Sequence, residues 1–234
     1  MQSGVYDQPN YRTAGDSGLL VEYGEGIAPD INRKVRSVAI ALAKNLPPGV
    51  REIVPSYRSI LICYDPMTIG PVPLKSALSD LEDRLAEVEI PAPQLVELPV
   101  CYGGQFGPDL ERVAGSNQLS PQEVVDLHSG VDYPIYMVGF TPGFPFLGGL
   151  PKALHTPRLA TPRSRVPKGS VGIANAQTGV YPVACPGGWQ LIGRTPLDLF
   201  TPHSPNPVAY AAGDRIRFTP ISPDEFRRLS EKER

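Results

Sequence analysis

Arg158, Arg163, Arg165 and Lys168 share one strip, PRLATPRSRVPKGS (157–170), in which Pro157, Pro162 and Pro167 recur at a fixed interval. Prolines so placed fix φ and remove backbone donors, so the strip stays extended and its cations do not gather on a helix face. Such a row suits a carboxylate, a carboxyphosphate or an acidic partner, because arginine presents a planar fork of N–H donors. The plainer outcome is a solvated basic loop. Upstream, GFTPGFPFLGGLP (139–151) sets four glycines and three prolines among large apolar residues. That mixture argues against a regular helix or a central strand. It predicts a fixed loop, either buried or turning backbone amides towards a ligand, with Gly143 and Phe144 as its contacts.

Downstream, ANAQTGVYP (174–182) reads as two strands around a tight turn, carrying Gln177, Thr178 and Tyr181. CPGGWQLIGRTP (185–196) follows with the only tryptophan, Trp189, and with Gln190 and Arg194. An amide, a phenol and a guanidinium beside one aromatic wall can recognise a small amide or carboxylate ligand, although a place in the core competes with that role for Trp189. His128 stands near the end of a helix opened by Ser120, where the negative end of the helix dipole favours the imidazolium. It is a candidate proton carrier, with a surface or capping histidine as the alternative. The chain has no phosphate-binding loop, no dinucleotide fingerprint and no nucleophile elbow. Any use of ATP therefore points to chemistry shared with another polypeptide.

Elements must position these residues. GLLVEYG (18–24) is a short apolar run between glycines, and Ile31, Val35, Val38, Ala39 and Leu42 follow at helical spacing until Pro47, Pro48 and Gly49. REIVPSY (51–57) and SILICYD (59–65) read as paired strands. Leu74, Leu78, Leu81 and Leu85 mark a second helix, and QLVELPV (94–100) returns to strand. The order β-α-β-β-α-β predicts a ferredoxin-like arrangement. Pro108 and Asp109 open one short helix, and the capping-box pattern Ser120-Pro121-Gln122-Glu123 opens another that Gly130 closes. Short strands then follow at 134–140, 170–176, 179–183, 189–193 and 214–220, before a polar, charged tail, RRLSEKER.

Twenty of the 28 prolines and 16 of the 23 glycines lie after residue 90, interleaved with apolar residues rather than with polar filler. That pattern indicates a turn-rich β fold, for which a closed barrel is the favoured form because it leaves no exposed edges. The composition shift around IPAPQ separates residues 1–93 from residues 94–234. A formal charge of −2 argues against a dedicated nucleic-acid binder. No apolar run reaches the ~18 residues of a membrane span, and no secretory signal is evident. Cys63, Cys101 and Cys185 are few and widely spaced, which fits reduced cytoplasmic thiols better than a disulfide framework or a zinc site.

GFTPGFPFLGGLP, TPRLATPRSRVPKGSVGIANAQTGVYP and PGGWQLIGRTPLDLF resemble the family of the 5-oxoprolinase B subunit, which includes allophanate hydrolase subunit 1 and the sporulation kinase inhibitor KipI. GDSGLLVEYG, VPSYRSILICYDP and PVCYGGQFGPDLERVA with LSPQEVVDLHS extend the likeness from about residue 12 to 226. The resemblance implies an α+β chain, with a ferredoxin-like N-terminal domain (1–93) followed by a cyclophilin-like β-barrel (94–234). It implies ATP-dependent opening of 5-oxo-L-proline to L-glutamate, in company with the KipA-like C subunit of the complex and with its A subunit. In that scheme Arg163, Arg165 or Arg194 offsets charge on a phosphorylated intermediate, and His128 moves a proton. Gly143, Phe144, Gln177, Tyr181 and Trp189 contact the substrate. The alternatives are a component of an allophanate or urea amidohydrolase, or an inhibitor docked on a histidine kinase.

Overall fold

Glycine and proline punctuation sets the order of the first elements. The structure, a computed structural model, describes residues 4–87 and 89–232. The chain divides into two units between Ala92 and Pro93. The first unit runs β1 (Val5–Thr13), β2 (Gly18–Gly24), α1 (Pro29–Lys44), β3 (Val50–Pro55), β4 (Ser59–Tyr64) and α2 (Pro71–Glu82). Both helices begin with proline at their first turn, where its missing N–H costs nothing. Alternation puts Ile60, Ile62 and Tyr64 of β4 and Leu19, Val21 and Tyr23 of β2 into one core. There they meet Ile31, Val35, Val38 and Leu42 of α1 and Leu74 and Leu78 of α2.

The sheet order is β1-β2-β4-β3, antiparallel throughout. The expected sixth element, 94–100, is not part of it. That segment belongs to the second unit, and the outer place beside β2 is taken by β1, which the residue pattern does not reveal. Physically, β1 carries Pro9 and a register irregularity between Val5 and Asn10, features that suit an edge strand and disguise the period of two.

The second unit contains β5 (Leu95–Tyr102), α3 (Leu110–Ser116), α4 (Pro121–Ser129), β6 (Asp132–Val138), β7 (Pro145–Leu147) and β8 (Arg163–Val166). It continues with β9 (Ser170–Ala174), β10 (Gln177–Val180), β11 (Cys185–Gly187), β12 (Gln190–Arg194), β13 (Arg215–Pro220) and α5 (Pro223–Lys232). Strands β10-β7-β6-β13-β5-β12-β9 close into a barrel, and β8 and β11 form a separate ribbon. Inward residues such as Leu98, Val100, Ile135, Leu147, Val171, Ile173, Ile192, Ile216 and Phe218 fill the interior, and Val113, Val124 and Val125 of α3 and α4 join the same core. The capping box at Ser120 and Glu123 forms as its pattern predicts.

Two elements differ from expectation. Pro145-Phe146-Leu147 is a barrel strand paired on both sides, with β6 and with β10. A strand survives in so irregular a segment because Pro145 occupies its first position, and because Gly179 lies opposite Phe146. The charged tail, as far as Lys232, belongs to the helix α5, whose Phe226 packs on Phe106 with ring centroids 4.5 Å apart. Among the described residues no helix is long and apolar enough to cross a membrane.

Candidate functional site: an aromatic cleft on the barrel

The segments 139–151, 157–170, 174–182 and 185–196 converge on one concavity. A cleft of about 330 Å³ is walled by Phe140, Phe144, Phe146, Tyr181 and Trp189, with Arg158, Pro162 and Pro186–Gly188 completing it. The rings pack mostly edge to face: Phe144 meets Tyr181 at 5.2 Å and Trp189 at 5.4 Å between centroids. The guanidinium of Arg158 lies 5.9 Å from the Trp189 ring centroid, and its side chain is exposed.

Local sequence explains the walls. A turn held by Gly139 N–H to Phe144 O (3.0 Å) and Phe144 N–H to Thr141 O (3.0 Å) presents Phe140, which is 70 % exposed and has φ +68°. An aromatic residue in left-handed backbone, facing solvent, is a costly arrangement that clusters at binding sites. Gly143, at φ +78°, supplies the bend and gives its carbonyl to the Tyr210 hydroxyl (2.5 Å). Gly187 is required by close approach, since a Cβ there would stand 2.4 Å from the Tyr181 oxygen. Burial foremost, with Cys185 adding, pushes the Tyr181 phenol up to about 12, against the opposing pull of the Trp189 N–H and the Arg158 and Arg163 charges. Tyr181 is therefore a neutral hydrogen-bonding group. Burial also raises the Cys185 thiol, which is not a ready thiolate.

Behind the wall, Arg163 is committed elsewhere. Its Nη2 donates to both oxygens of Asp109 (2.7 and 2.8 Å), and its Nη1 donates to the Trp189 carbonyl (3.2 Å). Asp109, the residue before α3, also accepts from the Leu191 N–H at 2.6 Å. This clamp joins α3, β8 and β12 and fixes where Trp189 stands. In the sequence Asp109 signals only the start of a helix; nothing in its spacing points to Arg163.

His128 lies inside the barrel, fully buried and stacked on Phe218 at 4.6 Å. Its Nδ1 is 2.8 Å from the Tyr102 hydroxyl and its Nε2 is 2.8 Å from Thr178 Oγ1. Since Thr178 donates to Gly172 O (3.0 Å), Nε2 carries the proton and Nδ1 accepts from Tyr102. Desolvation lowers its pKa from 6.5 to about 3. The imidazolium favoured by a helix end is thus overruled by burial, and the ring is neutral.

The remaining expected residues do not join the cleft. Arg194 lines a different hollow of about 660 Å³ under α5, with Lys168, Asp198, Arg227 and Glu231 among its walls. Its Nε donates to Lys168 O (2.8 Å), and burial lowers its pKa. Arg165 is exposed on β8 and Gln177 begins β10, both outside the cleft lining. The structure therefore brings together Phe144, Tyr181 and Trp189 of the expected set. It adds Arg158, Phe140 and Phe146, for which the aromatic-rich loop and the proline-spaced strip were the available signals. Among the described residues no group of His, Cys, Asp and Glu is placed to hold a metal ion.

Residues 9–210 match the carboxyltransferase domain, subdomain C and D. The chain is 46 % identical over 230 residues to the 5-oxoprolinase B subunit of Bacillus subtilis (strain 168), covering 93 % of this chain and 95 % of that one. It is 48 % identical over 209 residues to the 5-oxoprolinase B subunit of Escherichia coli O157:H7, covering 88 % and 93 %. The crystal structure of TTHA0988 superposes with a TM-score of 0.78 at 38 % identity, over 88 % of this chain but 40 % of that longer one. The chain belongs to the family of the 5-oxoprolinase B subunit and allophanate hydrolase subunit 1.

Proposed function

We propose that this chain is the B subunit of an ATP-dependent 5-oxoprolinase complex, which with the A and C subunits opens 5-oxo-L-proline to L-glutamate in the reducing cytoplasm. The observation that carries this is identity along nearly the whole length of proteins bearing that name, 46 % over 95 % of one such relative. We read the first unit as a ferredoxin-like sheet in which β1 replaces the final strand.

The aromatic cleft is the place this chain offers the substrate. Its apolar walls pack on the methylene face of a lactam ring and exclude water, while the Tyr181 hydroxyl orients a polar edge. Opening the ring adds water across the amide bond. Among the described residues that line the cleft none is suited to drive that step, Tyr181 being a neutral phenol; outside the lining, Cys185 is a protonated thiol and His128 a neutral ring inside the barrel. Binding and orientation fall to this chain, and proton transfer to its partners.

The hollow around Arg194 does not fit a triphosphate. Lys168 is held by Asp198 (2.6 Å), and Asp198 and Glu231 place carboxylates on the same walls. We assign the ATP site to the partner subunits. The test is 5-oxoproline-dependent ADP release by the purified chain alone, with the C subunit added, and with both the A and C subunits added. Activity only in the full mixture is expected; none in any mixture overturns the assignment and favours an inhibitor of the KipI kind.

A further inference from the structure

We propose that Arg158 is the carboxylate anchor of the aromatic cleft, the residue that makes this site select a lactam bearing an α-carboxylate over the bare ring. The proposal rests on the 5-oxoprolinase assignment above.

The strip 157–170 supplies four cations, and the structure disposes of three. Arg163 is spent on Asp109, Lys168 on Asp198, and the exposed Arg165 is not part of the cleft lining. Arg158 alone lines the cleft, and no carboxylate of the described residues pairs with it. Its contact is the Trp189 face, 5.9 Å from the centroid. With no hydrogen bond or ion pair to another described residue, its planar fork of N–H donors is available to a carboxylate, which takes two of them at a time.

The surroundings make that charge selective. Every other wall residue is aromatic, proline, glycine or the neutral Tyr181, so an anion entering the cleft finds one compensating group and otherwise loses hydration without return. A cavity of about 330 Å³ lies at the small end of ligand sites, which run from ~300 to 1,000 Å³. A five-membered lactam can lay its ring against Phe140 and Phe146, the accessible rings of the wall, with the buried Phe144 and Trp189 behind them, and turn its carboxylate to the rim. A neutral lactam such as 2-pyrrolidinone fills the same walls but leaves Arg158 unused.

The test uses the assembled complex of this chain with the A and C subunits. For Arg158→Gln, KM for 5-oxoproline should rise tenfold or more while kcat stays within threefold, and Arg158→Lys, which keeps the charge without the fork, should fall between. The wild type's preference for 5-oxoproline over 2-pyrrolidinone should shrink by the same factor in Arg158→Gln. A kcat within threefold, with the variant co-purifying with the A and C subunits in wild-type yield, shows that it folds and assembles. A working wild type whose Arg158→Gln form keeps its KM and its preference overturns the anchor alone. A wild-type complex without 5-oxoproline-dependent ADP release overturns the functional assignment, and the anchor with it.

Discussion

The barrel unit carries two concave regions with arginine in their walls, and they differ in how that arginine is answered. Under α5, Arg194 gives its Nε to the Lys168 carbonyl, Lys168 pairs with Asp198, and Arg227 pairs with Asp224. Lys168 and Arg227 are thus matched by carboxylates, and Arg194, which has no ion pair among the described residues, shares its walls with Asp198 and Glu231, so an incoming anion meets acids there as well as cations. In the aromatic cleft Arg158 faces rings and prolines, with no acid among the lining residues. The cation count of a segment is thus a poor guide to a binding site. What distinguishes a site is a cation that the fold has left without its counter-ion, beside walls that make water a weak competitor.

That contrast can be broken from behind, through the clamp that holds the cleft. Asp109→Ala leaves Arg163 without its carboxylate and the Leu191 N–H without an acceptor. Loss of one partner of a fully buried pair costs about 3–5 kcal/mol. The partial exposure of Arg163 puts the loss here at or below the lower end of that range, to be read as a lower urea midpoint of Trp189 emission, and the cleft should fail to bind. A smaller effect is set by His128. It binds a proton near pH 6.5 when unfolded but only near 3 inside the barrel, so the unfolded chain holds the extra proton between those values. Stability is full above about pH 6.5 and falls as the solution is acidified, with a limiting slope of about 1.4 kcal/mol per pH unit. His128→Gln keeps one donor and one acceptor without titrating. Unfolding curves from pH 7 to pH 4 should therefore fall less steeply for the variant, while carboxylate contributions common to both proteins cancel. The smallest effect belongs to the other hollow: Arg194→Ala should change kcat/KM for 5-oxoproline by less than threefold, and a tenfold loss would move the substrate site under α5.

Much of this organisation was legible in the chain. Proline and glycine placement announced the barrel, apolar periodicity located α1, α2 and most barrel strands, and the Ser120 and Glu123 pair fixed the start of α4. The four segments that meet in the cleft could be picked out as unusual, yet which of their side chains meet depends on long-range contacts with no local signature. Arg158 and Arg163 have the same flanking prolines, and only the position of Asp109, 54 residues away from Arg163, sends one to the clamp and leaves the other in the cleft. His128 misleads for a similar reason: its place near a helix end is local, whereas its burial against Phe218, Tyr102 and Thr178 is set by the barrel. The exchange of β1 for the strand 94–100 follows from pairing partners that a period of two cannot name.

The most direct measurement is a crystal structure of the complex of this chain with the A and C subunits, grown with 5-oxo-L-proline. The lactam ring should lie against Phe140 and Phe146, with its carboxylate on the Arg158 guanidinium and a partner protein closing the open side. Density for the ligand in the hollow beside Arg194, or held wholly by the partner chains, would contradict that placement.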